Sequence, residues 1–233
     1  MSEQNMEHAT QVEKDPLLEV ENVWQKFQKP VLAVAGIAVV VVGGWFAYNK
    51  FVKEPNDLKA ADEIFHVQEF FAKDSSRKVI DGDGTYKGAL SIISKYSGTP
   101  SANLAHYYAG ISYLKLGEFS KSVEHLKAFS TDAKQVKVVA LGSLGDAYSE
   151  LGKKEEAIES YKEASSAFVK DEGLSSEYLF RAAALSESMG KTKEALELYK
   201  SLKEKFPTTD KARTVDKYIY RLSVEPNDLS VGK

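Results

Sequence analysis

Cysteine is absent from the 233 residues, and with it go a disulfide framework, a thiol nucleophile and any thiolate metal site. An excess of one charge is missing too. Lys and Arg number 31 against 34 Asp and Glu, so the chain has no basic surplus for gripping phosphates, and no nucleic-acid partner is expected. The four histidines, at 8, 66, 106 and 125, are nowhere spaced as metal ligands, and His106 falls where a helix turns inward, as a packing residue does. No G-x-x-x-x-G-K-[ST], H-E-x-x-H or G-x-S-x-G run occurs, so no catalytic residue, cofactor, metal or small-molecule substrate is expected. The run Asp81–Gly84, DGDG, resembles the start of a calcium loop, but Ile92 stands where such a loop needs a carboxylate, and the run reads as a turn. Long alternating β-branched stretches are also lacking. That leaves an all-α chain.

What is present begins with one apolar clump. Between Lys29 and Lys50 lie 20 uncharged residues, 15 of them apolar or aromatic. As a helix, Pro30 to Asn49 extends about 30 Å, the thickness of a bilayer's hydrocarbon core. Trp24 and Phe27 before it and Trp45, Tyr48 and Phe51 at its end are interfacial aromatics, with Lys26, Lys29, Lys50 and Lys53 placed to snorkel. A core helix of this length would show a polar stripe, and this one has none. Six acidic residues against three lysines precede Pro30, and no small-residue cleavage site follows the run, so it reads as an uncleaved anchor rather than a signal peptide. Leu17, Val20, Trp24 and Phe27 recur at helical spacing, which predicts a short interfacial helix turned into the bilayer at Pro30. Lys14, Lys26 and Lys29 on one side balance Lys50, Lys53 and Lys59 on the other, so charge leaves the orientation open.

The remainder repeats. Gly117, Gly152 and Gly190 close three related stretches, at separations of 35 and 38 residues. In the middle stretch Gly145, Tyr148, Gly152, Ala157, Tyr161 and Ala164 have the spacing of a tetratricopeptide repeat, which the chain closely resembles. Small Gly145 and Ala157 let two antiparallel helices approach, Tyr148 and Tyr161 fill the space around them, and Gly152 caps the first helix. The first unit offers Gly110, Tyr113, Gly117, Ser122 and Leu126, and the third Ala183, Ser186, Gly190, Ala195 and Tyr199, with Pro207 where the second helix ends. Ser122 for a small Ala and Ser186 for an aromatic depart from the pattern. The organisation expected is an N-terminal segment (1–29), a transmembrane helix (30–49), a degenerate helix pair (55–100), three repeats (101–207), one capping helix (208–223) and a tail (224–233). In the degenerate pair, Asp57 to Lys73 and Thr85 to Tyr96 are joined by a long loop.

Stacked pairs leave a concave surface lined by the first helix of each. On this register the candidate partner-binding groove collects Leu104, Tyr107, Ile111 and Leu114 from the first unit, Asp146 and Glu150 from the second, and Phe180, Ala184 and Glu187 from the third. It is apolar at one end and acidic at the other. Either these side chains receive a partner or they pack against the N-terminal helix pair. Tetratricopeptide domains that hold a chaperone's C-terminal carboxylate use Lys and Asn where Tyr107 and Ile111 stand, so that activity is not carried over.

An uncleaved anchor, a Lys29-Pro30 entry into the apolar run, a degenerate pair and three repeats, in that order, together resemble the bacterial ancillary subunit of the SecYEG translocon, in its Bacteroidota form. The resemblance spans Trp24 to Leu222. It implies a single-pass inner-membrane protein with a cytoplasmic N-terminus and periplasmic repeats. Its partners would be translocon subunits, a membrane-anchored peptidyl-prolyl isomerase or periplasmic chaperones, to which it would help hand secreted chains. A cell-envelope assembly scaffold and a cytosol-facing organellar receptor are the competing readings.

Overall fold

The computed structural model describes residues 16–224 and divides the chain into two units, 1–55 and 56–233. All of the tail expected at 224–233 but Val224, and the acidic residues before Pro16, lie outside the described residues.

In the first unit α1 runs Pro16–Tyr48 and is followed by a π-helical turn, Asn49–Lys53. The turn expected at Pro30 is not there: the helix continues through it. Proline removes one hydrogen bond and crowds the preceding turn, but a long helix supported on both sides can absorb that as a bend. The helix is long and apolar enough to cross a membrane, and its apolar window is not buried at all inside the protein. Val39 and Val40 are each 72% exposed. At the far end Asn49 Nδ2 donates to the Trp45 carbonyl at 3.0 Å, and Lys50 pairs with Glu54 at 2.9 Å, one turn on.

In the second unit, α2 (Glu54–Ala72) packs with α4 (Ala89–Lys95) and with α5 (Pro100–Lys115). The loop expected between α2 and α4 holds a further short helix, α3 (Ser76–Asp81), because Val79 and Ile80 are apolar and need cover. DGDG is a turn. The Asp83 carboxylate accepts the Thr85 and Tyr86 N–H groups at 3.0 and 2.9 Å, and an antiparallel bridge joins Gly82 to Lys87. Three repeats follow: α5 with α6 (Phe119–Ala128), α7 (Lys134–Glu150) with α8 (Lys154–Ala167), and α9 (Glu172–Ser188) with α10 (Thr192–Lys205).

The glycines that mark the register have one physical cause. Gly117, Gly152 and Gly190 sit at φ of +75°, +71° and +72°, where a side chain would be strained. Around each, the next N–H reaches back to a carbonyl in the helix just ended: Glu118 to Tyr113, Lys153 to Tyr148 and Lys191 to Ser186, at 2.9 to 3.0 Å. This is one Schellman cap built three times. Entry is controlled as locally. Thr99 Oγ1 accepts the Ala102 N–H ahead of Pro100 at the start of α5, and Asp171 accepts the Leu174 N–H at the start of α9.

Within each repeat the small residues do what their spacing implies. A side chain on Gly145 would run into the Tyr161 ring, and one on Gly110 into Leu126. Ala157, Ala164, Ala183, Ala195 and Tyr199 are fully buried. Ser122 and Ser186 are fully buried too, and their hydroxyls have no hydrogen-bond partner. The expected single cap helix is two: α11 (Asp210–Thr214) and α12 (Asp216–Ser223), meeting at fully buried Val215. Thr209 caps α11, and Ala212, Val215, Tyr218, Ile219 and Leu222 close over Leu202 and Phe206 of α10. The break lets both short helices turn apolar residues onto one end surface. Among the described residues there is no β-strand.

Candidate partner-binding groove

The first helices of the second and third repeats form a groove of two adjoining recesses that share Ser149 and Tyr161. One, about 320 Å³, is lined by Leu114, Phe119, Asp146 and Glu150. The other, about 380 Å³, is lined by Glu177, Phe180, Arg181, Ala184, Leu185, Ser188 and Lys211. The larger recess is walled mainly by apolar surface and the smaller mainly by polar surface, so the groove pairs an apolar seat with convergent polar groups.

Of the residues expected in the groove, Leu114, Asp146, Glu150, Phe180 and Ala184 line it. Leu104, Tyr107 and Ile111 do not. Leu104 packs on the core shared by α2 to α5, and Ile111 is buried with Leu126 and Ala140, where Tyr107 meets the Phe129 ring at 5.2 Å. The apolar end of the expected surface is thus spent on joining the first repeat to its neighbours. Glu187 is turned to the cap: its carboxylate accepts from Tyr199 Oη at 3.1 Å and pairs with Arg221. Phe180, though on the wall, is also held, with Tyr218 edge-on at 5.4 Å and Lys211 over its face at 4.6 Å.

The acidic end is largely neutralised from within, by residues that sequence spacing did not single out. Arg181 donates to Asp146 Oδ1 at 2.7 Å and to Glu177 Oε1 at 2.9 Å, and Lys211 meets the other Glu177 oxygen at 2.8 Å. Tyr161 Oη donates to the same Asp146 oxygen at 2.7 Å. An alternating row of charges therefore ties α7, α9 and α11. Burial pushes the Glu177 carboxyl up, but the hydrogen bonds from Lys211 and Arg181 outweigh it and hold it below its ordinary range. Burial and the bond to Asp146 push the Tyr161 phenol up, keeping it a donor. Glu150 alone of the lining carboxylates stands exposed with no ion pair among the described residues.

One juxtaposition was invisible in the spacing. His106 and His125, 19 residues apart, bring their Nδ1 atoms to 3.0 Å between α5 and α6, and Tyr113 stacks on His125. One ring must donate and the other accept, so the pair holds together only while at least one ring is neutral. Among the described residues no three His, Asp or Glu side chains cluster as metal ligands.

Comparison with known proteins agrees with the geometry over two of the three helix pairs. A family model described as a tetratricopeptide repeat matches residues 138–167, and a second of the same description matches 177–209. No curated protein matches the chain. The matched stretches fall on α7–α8 and on α9–α10, with their capping glycines Gly152 and Gly190 inside them. These matches support a tetratricopeptide repeat protein.

Proposed function

We infer that the chain is a membrane-tethered interaction module. The groove on α7 and α9 receives a protein partner, and the apolar helix of the first unit holds the repeats at a bilayer. The observation that carries this reading is an apolar helix left unburied among the described residues, in the same chain as tetratricopeptide repeats. Such repeats are typically non-enzymatic interaction modules, and the groove assembles an ion-pair row rather than a nucleophile and its base.

The more specific role is accessory to the Sec translocon in a bacterial inner membrane. The N-terminus lies in the cytoplasm and the repeats lie in the periplasm, where they assist hand-over of secreted chains to chaperones. The order of anchor, helix pair and repeats supports it. Purification of the full chain from mild detergent is expected to bring translocon subunits with it, and deletion of residues 30–49 to abolish their recovery. Photo-crosslinkers at Ser149 and Ala184 are expected to trap secreted chains, while one at Pro207 does not. Recovery of envelope-assembly partners without translocon subunits, or repeats protected from protease in spheroplasts, overturns this role.

A further inference from the structure

The three repeats are not built to one length. α8 and α10 each have 14 residues, while α6 has 10. All three end on a phenylalanine at the C-cap: Phe129, Phe168 and Phe206. From the register mates Leu126, Tyr161 and Tyr199, that cap lies 3 residues on in the first repeat and 7 in the others. α6 therefore lacks one helical turn. In the second repeat the corresponding turn packs Ala164, Ala167 and Phe168 with Leu174, Tyr178 and Ala182 of α9. In the third, Leu202 and Phe206 pack with Ala212 and Val215. In the first the space stays open. It is a cleft of about 520 Å³ with a floor of Leu126, Phe129, Ala140, Leu141 and Leu144, and it shares no lining residue with the groove.

Lysine is in excess around this cleft. Lys134 and Lys137 lie in the first turn of α7, spaced to share a face with Leu141 and Leu144. That turn has no acidic residue, and Ala133 offers it no side-chain cap, so the positive end of the helix adds to the lysines. In the lining itself Lys137 is set against Asp132, while Lys134, three residues earlier in α7, and Lys127, in α6, lie outside it, and none of the three lysines has an ion pair among the described residues.

We propose that this cleft is a second docking site, filled by one turn of an amphipathic helix from a protein partner. Two apolar residues four apart enter the cleft, and carboxylates beside them face Lys134 and Lys137. The occupant is helical because the chain fills the equivalent space in both other repeats with a turn of helix. It is acidic because Lys137 at the lining and the unpaired Lys134 and Lys127 near it outnumber Asp132. The site does not depend on the groove.

The test uses the full chain in nanodiscs and a helix-stapled, fluorescent peptide of the chain's own residues 154–168, KEEAIESYKEASSAF, which is acidic and carries the missing turn. Saturable binding by anisotropy is expected. Inserting Ala-Ser-Ser-Ala after Ala128 restores the turn from within, and is expected to weaken binding about tenfold or more. Because the insertion can disturb folding, the pair Lys134→Glu and Lys137→Glu serves as a surface variant. It is expected to weaken binding about fivefold at low salt, with an unchanged melting temperature. Undiminished binding by an insertion variant that melts like the parent overturns the proposal. So does a failure to saturate, or saturation by laurate where the peptide does not bind, which would make the cleft a site for a small amphiphile.

Discussion

The junction between the first and second repeats and that between the second and third use the same kinds of helix, yet they are closed differently. At the later junction Tyr178 lies over Gly142, its ring stacks with Tyr161 at 6.1 Å, and Arg181 ties Asp146 to Glu177. At the earlier one a shortened α6 leaves a cleft, and the loop after it is held by Asn103, which donates to the Ser130 carbonyl at 2.8 Å and accepts its N–H at 3.0 Å. A repeat array's stability is a sum of unit and junction contributions, so the two halves of this solenoid differ in stiffness even where their units share a register.

Truncation at matched positions tests that difference most sharply. Tyr161→Ala removes a buried ring that packs with Tyr178 and donates to Asp146, and is expected to cost about 3 to 5 kcal/mol. Its register mate Leu126 is smaller, makes no side-chain hydrogen bond and borders a larger space, about 520 Å³ against 320 and 380 Å³ beside Tyr161, so Leu126→Ala is expected to cost about 2 to 3 kcal/mol. Urea unfolding of the detergent-solubilised chain measures both, and equal losses would erase the distinction. Arg181→Leu breaks the polar tie, and at its partial exposure is expected to cost about 1 kcal/mol, lost when Asp146→Asn is made with it. Ser122→Ala removes a buried hydroxyl that has no partner and gives the first repeat the residue the second has at Ala157. A gain of about 1 kcal/mol is expected, and a loss would mean the hydroxyl is satisfied.

The smallest effect is one of pH and belongs to the first repeat alone. Burial holds both His106 and His125 below the ordinary histidine value, the neighbouring His106 lowers His125 further, and Lys121 does the same, while Glu124 opposes. The folded state therefore favours neutral rings, and below pH about 6.5 the unfolded chain binds protons that the folded one refuses. This stability is present above the unfolded value and is lost as pH falls through the folded values. Glu63 and Glu177, held low, act only below about pH 4.5. Hydrogen exchange is expected to show α5 and α6 opening more readily at pH 5.5 than at 7.5, with α9 and α10 unchanged. His125→Leu should flatten the difference.

Much of this was legible in the chain. The capping glycines announce their positive φ through their spacing, and the small residues beside them announce close helix approach. Even the unequal separations of 35 and 38 were a signal: α6 is four residues shorter than α8, and the loop after it is one longer. What spacing did not carry was contact between elements. Arg181 reaches across 35 residues and the histidines meet across 19, distances at which no helical period relates two side chains. The groove was half legible for the same reason. Its helix faces followed from register, but spacing could not say that Tyr107 and Ile111 meet Phe129, Leu126 and Ala140 rather than a partner or the N-terminal helix pair.

The cap at the C-terminal end decides something beyond stability. α11 and α12 cover Tyr199, Leu202 and Phe206, the surface on which a further repeat would otherwise stack. They end the stacking that each earlier repeat continues. A chain ending at Pro207 would expose that apolar surface and with it a face for self-association.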